Sequence, residues 1–348
     1  MIRNEHLIDH LASDNIVAYE RIYMKISYVT NRGDLHQHGG YGVAGYGIVT
    51  SLQRLGHQVP WDDSTAPAQL NFCFPSVFAD HLRDDQYQIY LCAWESTLLQ
   101  PDWYDILDHE VDEIWAASPW VKWMLEENGY KVSQVYRHGV DPKWAPKKRK
   151  INDKVRFLYE GGSARKNPQL VHDAFKAAFG DSTDVELVMK EKYESDVRLY
   201  RGSNIIGYPG GNVKIISKIY EEDQMIQLFN VSHCLVSASS GEGFGLTGQQ
   251  ALATGIPVIA TKECCPYTEF LGDLGLESEY VDSQWPDMHP GKILKPDFDD
   301  LVDKYRYVKD NIDSLLPKHY KQSFAVHDWA DWDTLTDQAF RDLVEKLS

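Results

Sequence analysis

Residues 235–261 read LVSASSGEGFGLTGQQALATGIPVIAT, and the order of apolar, glycine-rich and helix-forming segments within them decides the fold. The spacing predicts a short buried strand over 234–238, a glycine-rich loop SSGEGFG, a helix over 246–254 and a second buried strand over 256–260. Gly255 and Pro257 punctuate the passage from helix to strand, one tolerating a left-handed backbone and the other fixing φ. The whole is one βαβ unit, which places the chain in the α/β class. Backbone N–H groups at a helix N-terminus attract anions, and Glu242 sets a carboxylate beside them that can accept from neutral donors such as sugar hydroxyls. The same glycines would serve a plain tight turn, so the loop on its own leaves both readings open.

Outward from this unit the same order recurs. A strand over 25–30 precedes GGYGVAGYGIVTSLQRLGHQV (39–59), read as glycine loop, helix and strand. A strand over 155–159 precedes EGGSARKNPQLVHDAFKAAF, where Arg165 and Lys166 stand at the expected helix start. Two fixed cations beside free N–H groups make a stronger phosphate signal than glycines alone. Short apolar strands follow the pattern at 69–74, 89–93, 114–117, 132–136 and 185–189, the last ending at Lys190. Ser118 and Pro119 fit the N-cap and first position of a helix. Residues 5–23 have the spacing of a short amphipathic helical lead-in. KKRK (147–150) marks a solvated linker, with nucleic-acid contact as the lesser reading. His138 beside Gly139 reads as a hinge hydrogen-bonder rather than a catalytic base.

A chain of 348 residues with 43% hydrophobic content can fill two cores. Its net charge of −17 disfavours a generic grip on nucleic-acid backbone or anionic membrane. The five cysteines lack metal-ligand spacing, and the adjacent pair Cys264 and Cys265 is read as small buried side chains, because a vicinal disulfide is strained. With no apolar h-region in the first residues and no window long enough to span a bilayer, the expectation is a soluble cytoplasmic protein without stable membrane insertion.

The run from Glu242 to Thr261 resembles the donor-binding signature of the large family of retaining GT-B glycosyltransferases, group 1 or family 4 type, which use nucleotide-diphosphate sugars. In that family a Glu opens Gly-Phe-Gly-Leu and a second Glu follows after seven residues; here the first is Glu242 and the second position holds Gln250. The resemblance extends to the segment WESTLLQPDW, to VYRHGVDPKWAP and to GGSARKNP, and so covers nearly all of the chain from about residue 25. It implies two Rossmann-like domains facing across a cleft: a lead-in over 1–24, an acceptor domain over 25–146, a nucleotide-sugar domain over 147–325 and a C-terminal helix over 326–348 crossing back to the first domain.

The activity implied is transfer of a hexose-type sugar from a nucleotide-diphosphate sugar, UDP- or GDP-linked, with retention at the anomeric carbon. Glu242 and Glu95 are the implied catalytic pair, Glu95 being the polar residue nearest the strand end where family members often keep a His. The donor neighbours implied are Gly39, Gly40, Gly42, Gly162, Arg165, Lys166, Lys190, Gly243, Phe244, Gly245, Leu246 and Gln250, with the loop 217–220 bordering the base. Gly162 stands where the family has an Arg, and Arg165 is the nearest guanidinium to replace it. The diphosphate charge is met by cations and helix N-termini, so no metal or other cofactor is expected. The acceptor is left open among saccharide, lipid, protein and a hydroxymethylated base in DNA. A non-catalytic sugar-nucleotide binder is the rival, motivated by Gln250, Gly162 and the missing His.

Overall fold

A computed structural model describes residues 23–30, 39–191 and 211–348. The lead-in expected over residues 5–23 lies almost wholly outside them. The first half of the chain folds on a five-stranded parallel sheet in the order β1-β2-β3-β4-β5: Ile26–Thr30, Ala68–Phe72, Tyr87–Cys92, Glu113–Ala116 and Val132–Val135. Its helices are α1 (Gly40–Arg54), α2 (Pro75–Phe78), α3 (Trp103–His109) and α4 (Pro119–Glu127). These strands are short and mostly buried, and the polar side chains they carry into the interior bond one another, Gln69 donating to Asn71 at 2.9 Å and Asn71 to Gln88 at 3.0 Å. Ser118 caps α4 as its residue type predicts, its Oγ accepting from Val121 N–H at 3.2 Å, with Pro119 next in line. The strand expected after α1 is reduced to two isolated bridges, Lys25 to Gln58 and Tyr28 to Trp61, along the outer edge of β1.

The second half carries a six-stranded parallel sheet in the order β11-β10-β9-β6-β7-β8. Its strands are β6 (Val155–Gly161), β7 (Val185–Glu191), β8 (Val213–Ser217), β9 (Cys234–Ser237), β10 (Val258–Thr261) and β11 (Gly275–Leu276). The helices between them are α5 (Pro168–Phe179), α6 (Glu222–Asn230), α7 (Leu246–Thr254) and α8 (Thr268–Leu271). An antiparallel hairpin, β12 (Ser278–Asp282) with β13 (Lys292–Pro296), was absent from the sequence-based expectation. Arg149, from the basic linker run, is no solvated charge: its guanidinium donates to Thr254 O at 2.7 Å and Phe229 O at 3.4 Å, satisfying carbonyls at the C-terminal ends of α7 and α6. All five cysteines are buried free thiols.

The single crossing helix expected over 326–348 is two helices. α9 runs from Phe298 to Trp329 against the second core, and α10 (Trp332–Leu347) starts afresh where Asp331 accepts from Thr334 N–H at 2.8 Å. α10 crosses to the first domain and buries Trp332, Leu335, Phe340 and Leu343 in the same core as β1, β2 and α1. Trp332 fills a slot that only glycine allows: a Cβ at Gly47 would lie 2.3 Å from its ring and one at Gly139 2.4 Å. Among the described residues no helix is long and apolar enough to cross a membrane.

Candidate functional site

The donor-like loop leaves β9 at its C-terminal end and runs into α7. Its shape is set by short-range bonds: Asn167 donates to Ala238 O and to Ser240 Oγ, both at 2.8 Å, and Ser239 Oγ donates to Gly241 O at 2.8 Å. Gly245 takes φ +87 as the N-cap of α7, and its carbonyl accepts from the Tyr267 hydroxyl at 3.0 Å. The other glycines serve close approach between the two halves of the chain. A Cβ at Gly241 would sit 2.0 Å from Glu95 O, and one at Gly243 would sit 2.8 Å from the carbonyl carbon of Ala93. The loop therefore lies flat against the end of β3, with Tyr41 from α1 donating to Ala93 O at 2.6 Å from the other side.

At this contact four charged side chains meet. Lys166 Nζ lies 2.6 Å from Glu242 Oε1, Arg165 Nη2 3.2 Å from Glu95 Oε1 and Arg165 Nη1 3.8 Å from Glu242 Oε2. Arg165 also donates to the carbonyl of Gly241. Both cations sit in a 3₁₀ turn, Ala164–Lys166, ahead of α5 rather than in its first turn, because Asn167 takes a left-handed φ of +52 before Pro168 opens the helix. Burial pushes the Glu95 carboxyl up, Arg165 opposes this, and Glu242 adds to it. Burial would raise Glu242 as well, but Lys166 and Arg165 together hold it below the ordinary carboxylate range. The two carboxylates are thus pushed apart, with Glu242 the firmly ionised one.

A cleft of about 150 Å³ opens between the halves, reached from this loop along α7. It is lined by Gly39 and Gly40 at the start of α1, by Lys190 at the end of β7, by Ile219 and Tyr220, and by Leu246, Thr247 and Gln250 on α7. Lys190 Nζ donates to Glu191 O at 2.8 Å and lies 5.1 Å from the centre of the Tyr220 ring. Thr247 donates to Glu160 Oε2 at 2.6 Å, and Trp144 and Glu222 complete the wall. Glu160, Trp144 and Glu222 were not singled out from the sequence, although Glu160 is the last residue but one of β6, where the C-terminal end of a parallel strand meets a crevice.

Not every expected donor neighbour faces this space. Phe244 is 4% exposed and sits in the first-domain core with its ring 4.7 Å from His138, because a bare aromatic gains most by leaving water. Gly243 packs on Ala93. Gly162 is exposed and Gly42 half-buried, and neither lines the cleft. His138 is a packing residue at the seam. Its ring meets Phe72, Phe244 and Trp332, its carbonyl accepts from Gln249 at 2.8 Å, and its Nδ1 is buried without a hydrogen bond. Asp62 and Asp63 hold Arg83 and Lys25, and among the described residues no group of carboxylate, His or Cys side chains is arranged to hold a metal ion.

Burial pushes His138 down to about 3, so the folded state resists a proton that the unfolded chain accepts near the ordinary histidine value. The unfolded state then binds more protons between those two values, and stability is full above about pH 6.5 and falls on acidification below it, by about 1.4 kcal/mol per pH unit for this one group. His138→Leu is expected to flatten the curve of unfolding free energy between pH 6 and 4 by close to one proton, measured by urea titration at each pH.

With this geometry in place, residues 141–277 match the family described as glycosyl transferases group 1. Over this span the chain is similar to that family. The matched span holds Arg165, Lys166, Lys190, Glu242 and Gln250. Solved structures share the fold across most of the chain. HepE of Anabaena, in complex with UDP and glucose, superposes with a TM-score of 0.66 at 12% identity, over 92% of this chain and 100% of that one. Sucrose-phosphate synthase of Thermosynechococcus elongatus gives 0.65 at 12% identity, over 93% and 100%. WaaG, a glycosyltransferase involved in lipopolysaccharide biosynthesis, gives 0.58 at 13% identity, over 91% and 98%. No curated protein matches by sequence. The chain thus shares the fold of these structures, a GT-B architecture of two Rossmann-like units facing across a cleft with the last helix returning to the first.

Proposed function

We propose that the chain is a retaining glycosyltransferase that takes a hexose from a nucleotide-diphosphate sugar and passes it to an acceptor hydroxyl, without a metal. UDP-glucose is the first donor to try, since a protein of the same fold has been solved with UDP and glucose. The observation that carries this reading is the meeting of Arg165, Lys166 and Glu242 at the loop that leads into α7, while Leu246, Thr247 and Gln250 of α7 wall a cleft with Gly39, Gly40, Lys190 and Tyr220.

In this reading the diphosphate lies toward Arg165, Lys166 and the N-terminus of α7, which take up the charge that grows as the anomeric carbon–oxygen bond breaks. Fixed, partly buried cations do this without reorganising at the moment of reaction. Glu242, kept ionised by its two cations, holds sugar hydroxyls and orients the anomeric carbon. Tyr220 borders the base, and Gln250 accepts from the ribose through its amide oxygen, a neutral bond weaker than a carboxylate would make. The proposed domain division is 25–146 for the acceptor side and 147–325 for the donor side. The acceptor pocket is built from first-domain loops.

Glu95 competes with the diphosphate for Arg165 in this arrangement. Glu95→Gln is therefore expected to tighten UDP binding roughly 3- to 10-fold while lowering sugar transfer, read by calorimetry and by UDP release. The enzymatic reading is tested by following UDP release from UDP-glucose, with and without acceptors, in the wild type and in Glu242→Ala. Turnover well above the variant supports it; equal turnover with retained donor binding makes the chain a sugar-nucleotide binder.

A further inference from the structure

We propose that His289, at the tip of the β12–β13 hairpin, is a positioning residue for the transferred sugar. The inference rests on the donor site above and adds to it a group that neither the loop motif nor the family span contains. The hairpin is bonded to both sides of the site. The middle of its second strand is tied to the donor loop, Leu294 N–H donating to Ser240 O at 2.8 Å, two residues before Glu242. Its tip is tied to the first-domain segment that follows Glu95. Thr97 N–H donates to Lys292 O at 3.0 Å, Lys292 N–H donates to Thr97 Oγ1 at 2.7 Å, and the Gln100 amide donates to Asp287 O and Met288 O at 3.0 and 2.8 Å. Gly291 takes φ +78 there, in contact so close that a Cβ would lie 2.7 Å from Leu98 Cγ.

This docking sets the His289 ring 5.2 Å from the ring of Trp94, the residue before Glu95. Burial lowers its pKa to about 4, and Arg165 adds to the effect, so the ring is neutral and within electrostatic reach of the cation that pairs with Glu95. The Nδ1 atom is buried and has no hydrogen-bond partner among the described residues, an arrangement that costs stability unless a ligand or water completes it. The charged side chains at this contact, Arg165, Lys166, Glu95 and Glu242, are already paired with one another. A neutral imidazole offers one donor and one acceptor, the complement of a sugar hydroxyl and a poor match for phosphate. His289 therefore supplies selectivity for the sugar rather than affinity for the nucleotide.

Calorimetry with UDP and with UDP-glucose, on the wild type, His289→Ala and His289→Asn, tests this. Asn carries an amide where Nδ1 stands. The expected result is unchanged UDP affinity in all three, a loss of about tenfold in UDP-glucose affinity for His289→Ala, and recovery of most of that loss in His289→Asn. Equal weakening of UDP and UDP-glucose, or an Asn variant no better than Ala, would make His289 a structural residue of the hairpin and overturn the proposal. Wild-type protein that binds UDP-glucose no better than UDP also overturns it while leaving the donor site standing. Binding of neither ligand removes the donor reading itself.

Discussion

Glu242→Gln is expected to lower sugar transfer from the donor by roughly 10²–10³, the usual effect of deleting one preorganised charged group at a reacting centre. The substitution keeps the shape of the side chain and removes only its charge. What is lost is the 2.6 Å contact with Lys166 as an ion pair and the attraction to Arg165, which together fix where the carboxylate sits. UDP affinity should change far less than turnover, because in the proposed function the nucleotide is held by the cleft walls and by cations that the variant retains. Comparing kcat with the UDP dissociation constant separates the two effects. A fall in both by the same factor would mean that Glu242 organises the phosphate site instead of the sugar.

Trp332→Ala is expected to cost about 3–5 kcal/mol, the range for truncating a buried large aromatic, and to lower Tm by roughly 10 °C. The ring is 7% exposed and sits in a slot shaped by Gly47 and Gly139, stacked 6.1 Å from His138. It fastens the returning helix to the seam between the two halves. The neighbouring ion pair of Arg54 and Asp333 is solvent-exposed, with side chains 51% and 42% accessible, and an exposed pair of that kind adds little. Arg54→Ala should therefore leave Tm within about 2 °C, since surface pairs are worth at most about 1 kcal/mol. Calorimetric scans of both variants distinguish packing from charge as the fastening.

Most of the α/β pattern was readable because parallel strands buried on both faces are rich in apolar residues, and β2, β3, β6, β7 and β9 each keep an apolar majority around their few polar positions. The helix over 246–254 was legible from its flanking glycines, both of which take positive φ. The hairpin was not. Its strands SEYVD and KILKP keep no regular alternation, and the nine residues between them, although they end on Pro290-Gly291, are too long a connection to read as a tight hairpin turn. The break between α9 and α10 did leave a sign, Asp331 ahead of Trp332, which apolar spacing alone passes over.

Within the site, Arg165, Lys166 and Glu242 could be named from local signals, since cations at a strand-to-helix turn and a carboxylate in a glycine loop are features of short segments. Their arrangement could not. Arg165 meets Glu95 across 70 residues of sequence, and His289 reaches Trp94 only because the hairpin docks on the other half of the chain. Phe244 illustrates the converse, a motif residue whose side chain answers to burial instead of to a ligand.

The most direct test of the central claim is a thermal-shift titration of the wild-type protein against UDP, UDP-glucose, GDP and GDP-mannose, with Lys166→Ala alongside. A ligand that binds only the folded state raises Tm by mass action. The account predicts a dose-dependent rise for at least one nucleotide sugar that is largely lost in Lys166→Ala. No shift with any of the four, or an equal shift in the variant, would contradict it.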